Sequence, residues 1–182
     1  MTTYIALLRG INVGGNNLVS MADLRALLGE MGLENVKTLL QSGNVVFQCP
    51  QKESEKLEVE LATALHERAG LKIGMFVRTT EQWAKVIAEN PFLEAAVSDP
   101  SHLVVIFLRD TVDHGKVDEV RSLVQGPETL QAVGDRLYVV YPDGIGPSTL
   151  PRTPGWNKLA SQGTARNWNT VLKLAALAEG LG

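Results

Sequence analysis

The stretch Tyr4-Ile5-Ala6-Leu7-Leu8, followed by Arg9-Gly10-Ile11-Asn12-Val13-Gly14-Gly15-Asn16-Asn17 and then by Ser20 and the segment Met21 to Met31, decides how the chain is read. Tyr4 to Leu8 is an uninterrupted apolar run, the pattern of a strand covered on both faces. It stops at Arg9-Gly10, and a loop of glycine and asparagine leads to a predicted helix. In that helix Met21, Leu24, Leu27, Leu28 and Met31 recur at three- and four-residue spacing and form a core-facing stripe. Ser20 with Asp23 resembles a capping box, and Gly32 fits the C-terminal end. A buried strand feeding such a loop ahead of a helix is a common way to build a binding site.

Working outward, Val36 to Leu40 and Val45 to Gln48 read as two strands joined by Gln41-Ser42-Gly43-Asn44, a turn with glycine where positive φ is needed. Glu53 to Ala69 reads as a helix and Leu71 to Val77 as a strand. The order β-α-β-β-α-β is that of the ferredoxin-like split unit. Thr79 and Gln82 are again spaced as a capping box, opening a helix that Asn90-Pro91 ends. Beyond a polar connection, Glu94 to Ser101, come a strand (His102 to Leu108), a helix (Val112 to Val124) and a hairpin around Gly134-Asp135. Pro142 to Gly163 holds four prolines and four glycines and reads as a long ordered loop or lid. Thr164 then caps a closing helix, Ala165 to Glu179. Both lead strands end in Leu-Arg, at Leu8-Arg9 and Leu108-Arg109. The expectation is an α+β fold of two ferredoxin-like halves related by internal duplication, residues 1–79 and 80–182.

Composition limits the function. The 182 residues are 45% apolar and 20% charged, as in ordinary globular chains. A net charge of −3 argues against general binding of duplex nucleic acid. A single cysteine, Cys49, leaves no internal disulfide and no cysteine-rich zinc site. No apolar run reaches membrane-spanning length, and no basic stretch precedes the first one, so a cytoplasmic protein without a membrane partner is expected.

Three segments could carry chemistry. Gly10-x4-Gly15 has the glycine spacing of a phosphate-binding loop, but Asn16-Asn17 stand where lysine and a hydroxyl residue are required, which argues against nucleotide hydrolysis. Arg9, at the end of a buried strand, either meets a carboxylate or presents its guanidinium to a ligand. Ser42 and Asn44 offer polar groups that turn residues ordinarily use on their own backbone. Arg166 falls in the first turn of the closing helix, where the dipole disfavours a cation unless an anion is near. His66, His102 and His114 lack metal-ligand spacing, no nucleophile elbow or dinucleotide fingerprint appears, and no cofactor is expected.

Residues Ala6 to Gly15, Met21 and Leu24, Gln41 to Val45 and Thr164 to Val171 together resemble the bacterial family called domain of unknown function 1697, from the first strand to the last helix. The resemblance implies two ferredoxin-like halves and no established reaction. Its motif positions in this chain are Arg9, Gly10, Asn12, Gly14, Gly15, Ser42, Gly43, Asn44, Arg166, Asn167 and Thr170. Such residues at element ends suggest one convergent polar site. The first expectation is therefore a site for a small anionic or nucleotide-like ligand, built from Arg9, Asn12, Gly14, Gly15, Asn16, Ser42, Gly43, Asn44, Arg166, Asn167 and Thr170. The competing one is a non-catalytic interaction or homo-oligomerisation module in which the same residues form a structural polar network.

Overall fold

The computed structural model describes Met1 to Leu181. It divides into two compact units, Met1–Val86 with 173–181, and Ile87–Leu172.

The first unit runs β1 (Thr2–Arg9), α1 (Met21–Glu30), β2 (Glu34–Leu39), β3 (Asn44–Cys49), α2 (Ser54–Ala69) and β4 (Gly74–Thr79). Its four strands form one antiparallel sheet in the order β2-β3-β1-β4. The apolar run at the start of the chain lies in its interior. Tyr4, Ala6 and Leu8 pack with Leu24 and Leu28 of α1 and Leu57, Leu61 and Leu65 of α2. On the opposite face Ile5 and Leu7 are also buried, with Val46 and Phe76, so the run is covered on both sides as its composition predicts. Tyr4 stacks on Phe47 with centroids 5.6 Å apart, and its hydroxyl donates to the Lys52 carbonyl at 2.7 Å.

The second unit repeats this order. After α3 (Thr80–Ala88), most of which belongs to the first unit, and α4 (Leu93–Ser98) come β5 (Leu103–Phe107), α5 (His114–Leu123), β6 (Thr129–Val133), β7 (Arg136–Val140), a 3-10 turn (Leu150–Arg152), α6 (Trp156–Ala160) and β8 (Thr164–Asn167), followed by α7 (Trp168–Glu179), whose residues from 173 onward belong to the first unit. The sheet order β6-β7-β5-β8 matches the first unit strand for strand. Both units are thus β-α-β-β-α-β, and the protein is an α+β fold with two similar halves.

Local chemistry explains most element ends. The Asp23 amide donates to Ser20 Oγ at 3.0 Å, which starts α1. Thr79 and Gln82 form a reciprocal capping box: the Thr79 amide donates to Gln82 Oε1 at 2.9 Å, and the Gln82 amide to Thr79 Oγ1 at 3.2 Å. Among the described residues no helix is long and apolar enough to cross a membrane.

The closing segment departs from expectation. Thr164 to Asn167 is a strand rather than the cap and first turn of a helix, and α7 begins only at Trp168. The reason is the apolar strand β5, whose backbone donors and acceptors need a partner along this edge. Thr164 pairs with Phe107 and Arg166 with Val105, and alternation buries Thr164 and Arg166 while Ala165 is exposed. The expected Pro142 to Gly163 loop holds α6, whose Trp156 and Leu159 join the core of this unit. The expected polar connection after Pro91 contains α4.

Candidate functional site

The first two motifs meet at one end of the first sheet, where β1 finishes and β3 begins. The Leu8 amide donates to the Gly43 carbonyl at 2.7 Å. Gly43 has φ of +74°, and a Cβ there would lie 2.6 Å from Ile11 Cγ2 and 2.7 Å from Leu8 Cβ. Only glycine allows this approach.

Between Arg9 and Ser20 the chain forms a miniature hairpin. The Asn16 amide donates to the Val13 carbonyl at 3.1 Å, and Gly14 and Gly15 have φ of +59° and +78°. Positive φ at both central residues is the mark of a two-residue type I′ turn. The turn is exposed, with open space where either glycine would carry a Cβ.

Two asparagines fasten this hairpin. Asn12 Nδ2 donates to the carbonyls of Val19 at 3.0 Å and Gln41 at 3.2 Å, and its Oδ1 accepts from the Val19 amide at 2.9 Å. Asn17 Nδ2 donates to the carbonyls of Gly10 at 2.9 Å and Lys72 at 3.0 Å, and its Oδ1 accepts from the Lys72 amide at 2.9 Å. Both residues also hold positive φ, 52° and 48°, a conformation that asparagine tolerates better than most side chains. The second motif is fastened in the same way. Asn44 is fully buried, and its Nδ2 donates to the Leu39 carbonyl at 2.9 Å and to Ser42 Oγ at 3.0 Å.

Around these supports the exposed groups are Arg9, Gly14, Gly15, Asn16 and Ser42. Arg9 pairs with Gly74 across the sheet, and its Cβ lies 3.5 Å from where a Cβ on that glycine would stand. The same end carries exposed apolar side chains, Val13, Leu18 and Leu40.

The third motif lies in the second unit. Arg166 is buried on β8, and its Nη1 donates to Thr164 Oγ1 at 2.9 Å and to the Ala165 carbonyl at 2.7 Å. Burial lowers its pKa to about 10. Arg166 lies in a strand, so no helix dipole acts against its charge there. Asn167, not Thr164, caps α7: its Oδ1 accepts from the Thr170 amide at 3.0 Å and from Thr170 Oγ1 at 2.9 Å.

The family described as "protein of unknown function (DUF1697)" matches residues 1–138. The chain belongs to the DUF1697 family. The DUF1697 match spans the first two motifs and ends in β7, ahead of Arg166. Among solved structures, the chain is similar to the conserved bacterial protein SP0830 from Streptococcus pneumoniae, with 25% identity and a TM-score of 0.74. The likeness covers 97% of this chain and 98% of that one. None of the curated proteins matches the chain.

Sequence reasoning passed over several polar features. Glu58 of α2 is buried, and its Oε1 accepts from the Val77 amide at 2.8 Å and from Arg78 Nη1 at 3.1 Å. Arg136 is buried on β7 and paired with Glu89. In the second unit the loop after β5 borders an open pocket of about 380 Å³, lined by Arg109, Asp110, Asp113, Lys116, Lys158 and Gln162 among others. The Leu108-Arg109 echo of Leu8-Arg9 was the available signal for that pocket. The Glu58–Arg78 and Glu89–Arg136 pairs left none, because partners 20 and 47 residues apart show no spacing. Cys49 is buried, and burial pushes its thiol pKa up, as suits a packing residue.

Proposed function

We infer that this DUF1697 protein is a binding protein whose working surface is the end of the first unit where β1 finishes, and that it takes a small anionic or nucleotide-like ligand there. The supporting observation is the double asparagine clamp. Asn12 and Asn17 use both ends of their amides to hold a hairpin whose tip is exposed. A loop that only reversed the chain would not need such fastening, whereas a recognition loop works best on a rigid support. Asn12, Gly43 and Asn44 are then the supports. Arg9, Gly14, Gly15, Asn16 and Ser42 are the groups that touch the ligand, the arginine supplying charge and the glycines allowing close backbone approach. Arg166, Asn167 and Thr170 organise β8 and the start of α7 and fall outside this reading. The repeated strand order supports descent of the two halves from one duplicated unit.

A second reading has its own support. Val13, Leu18 and Leu40 are 65%, 68% and 56% exposed at the same end, which suits a protein partner or a second copy of the chain. The two readings separate in one experiment. Thermal midpoints are measured for wild type and Arg9→Ala with nucleotides, phosphorylated metabolites and simple anions, alongside solution mass. A concentration-dependent rise abolished in Arg9→Ala supports the anion site. No rise with any compound, together with a dimer that Leu18→Ser dissociates, supports the interaction module and overturns the anion site.

A further inference from the structure

We propose that Glu128 anchors a calcium-type cation site in the second unit, enclosed by the segment from Tyr141 to Thr149. Glu128 stands immediately before β6 and is only 8% exposed. Its Oε1 accepts a hydrogen bond from Ser148 Oγ, and its Oε2 has no hydrogen-bond partner. A buried carboxylate oxygen without a donor is costly, so the arrangement is incomplete until a positive group meets it.

The surroundings supply the rest of a cage. A cavity of about 90 Å³ lies against Glu128 and is also lined by Tyr141, Asp143, Ser148 and Thr149. A water molecule takes about 30 Å³ of liquid volume, so there is room for an ion and some of its hydration. Every side-chain donor lining the cavity is an oxygen, and no basic side chain lines it. Such a donor set suits a hard cation and not a soft transition metal. Among the described residues no three His, Cys, Asp or Glu gather to hold a metal ion, so the cage would rest on fewer carboxylates together with hydroxyl and water oxygens.

The carboxylate is held for this role. Ser148 Oγ accepts from the Leu150 amide at 3.1 Å, which fixes the hydroxyl so that its proton goes to Glu128 Oε1, while Oε2 is left without a donor. A Cβ at Gly126 would come within 2.1 Å of Glu128 Oε2, so the residue two positions earlier must be glycine for the carboxylate to lie where it does. Tyr141 remains a neutral phenol, its pKa pushed up to about 12 by burial and by the Glu128 charge. Calcium fits better than magnesium because it tolerates irregular cages of carboxylate, hydroxyl and loop carbonyl oxygens, whereas magnesium demands a near-ideal octahedron. With two carboxylates the site belongs in the weak range, about 0.1–1 mM.

The test is thermal unfolding of the full chain after chelation, titrated with CaCl2 against MgCl2 and against NaCl at matched ionic strength. Saturating calcium is expected to raise the midpoint by about 3–8 °C. Glu128→Gln removes that rise while its metal-free midpoint is no lower than wild type, since a buried charge has gone. Asp143→Asn, at an exposed position, folds normally and weakens the response about tenfold. Tb3+ provides a second readout, with luminescence sensitised by Tyr141 and displaced by calcium. The proposal is overturned by any of three results. These are no calcium response beyond the NaCl control, a response that survives in Glu128→Gln, and a larger response to magnesium than to calcium.

Discussion

Asn17 engages Lys72 through both ends of its side-chain amide, Nδ2 donating to the carbonyl at 3.0 Å and Oδ1 accepting from the amide at 2.9 Å. The side chain thereby imitates one residue of a neighbouring strand and ties the hairpin after β1 to the segment leading into β4. Asn17→Ala removes these bonds and the one to the Gly10 carbonyl. The freed backbone groups reach water, so the expected loss is only about 1 kcal/mol by chemical denaturation. Faster hydrogen exchange at the Lys72 amide is the sharper measurement, and unchanged exchange would remove the clamp from the account.

Gly43→Ala is expected to be far more damaging. The added methyl meets Ile11 Cγ2 and Leu8 Cβ inside 3 Å, and the residue must also hold positive φ. Overpacking costs about 1–3 kcal/mol and the left-handed backbone about 1–2 more. Urea unfolding should register a loss of about 2–5 kcal/mol, whereas Gly29→Ala, at a helical position with open space around it, should not.

Glu58 and Arg78 form a buried ion pair between α2 and β4. Removing the acid leaves the Arg78 guanidinium without this counter-charge and takes an acceptor from the Val77 amide. Glu58→Ala is expected to cost about 3–5 kcal/mol. Glu58→Gln keeps an acceptor for the amide and should recover part of that loss in the same denaturation experiment.

Alkaline pH is expected to destabilise the fold. Burial raises both Tyr138 and Tyr141 from 10 to about 12, so folding holds their protons where the unfolded chain has released them. Their contribution is intact below about pH 10 and lost as pH climbs through about 12. Arg166 works in the opposite sense, since burial makes it release its proton near 10 when folded, well below its value in the unfolded chain. Two phenols against one guanidinium leave the unfolded state short by up to one proton. Stability should therefore fall by up to about 1.4 kcal/mol per pH unit between these values. Near-ultraviolet phenolate absorbance should show two tyrosines ionising late, and Tyr138→Phe should flatten the fall.

Much of the first unit was legible because its signals are local. The capping pairs Ser20–Asp23 and Thr79–Gln82 are three residues apart, and both close as hydrogen bonds. The positive φ at Gly43 follows from the turn chemistry of Gln41 to Asn44. β8 was not legible, because Thr164-Ala165-Arg166-Asn167 has no strand composition of its own. It becomes a strand through the edge of β5, where Thr164 pairs with Phe107, fifty-seven residues earlier (164 − 107), a relation that no window of sequence contains.

The sequence by itself determined the β-α-β-β-α-β order of the first unit, the starts of α1 and α3, the hairpins and the apolar character of β1 and β5, since each depends on periodicity and on turn chemistry within a few residues. Tertiary structure alone decided what the polar residues do. An asparagine reads the same whether its amide faces a ligand or the backbone of Val19, Gln41 or Lys72, and an arginine the same in a strand as in a helix. Side-chain amides and guanidiniums take their role from partners brought close by folding, such as Lys72 for Asn17, fifty-five residues away.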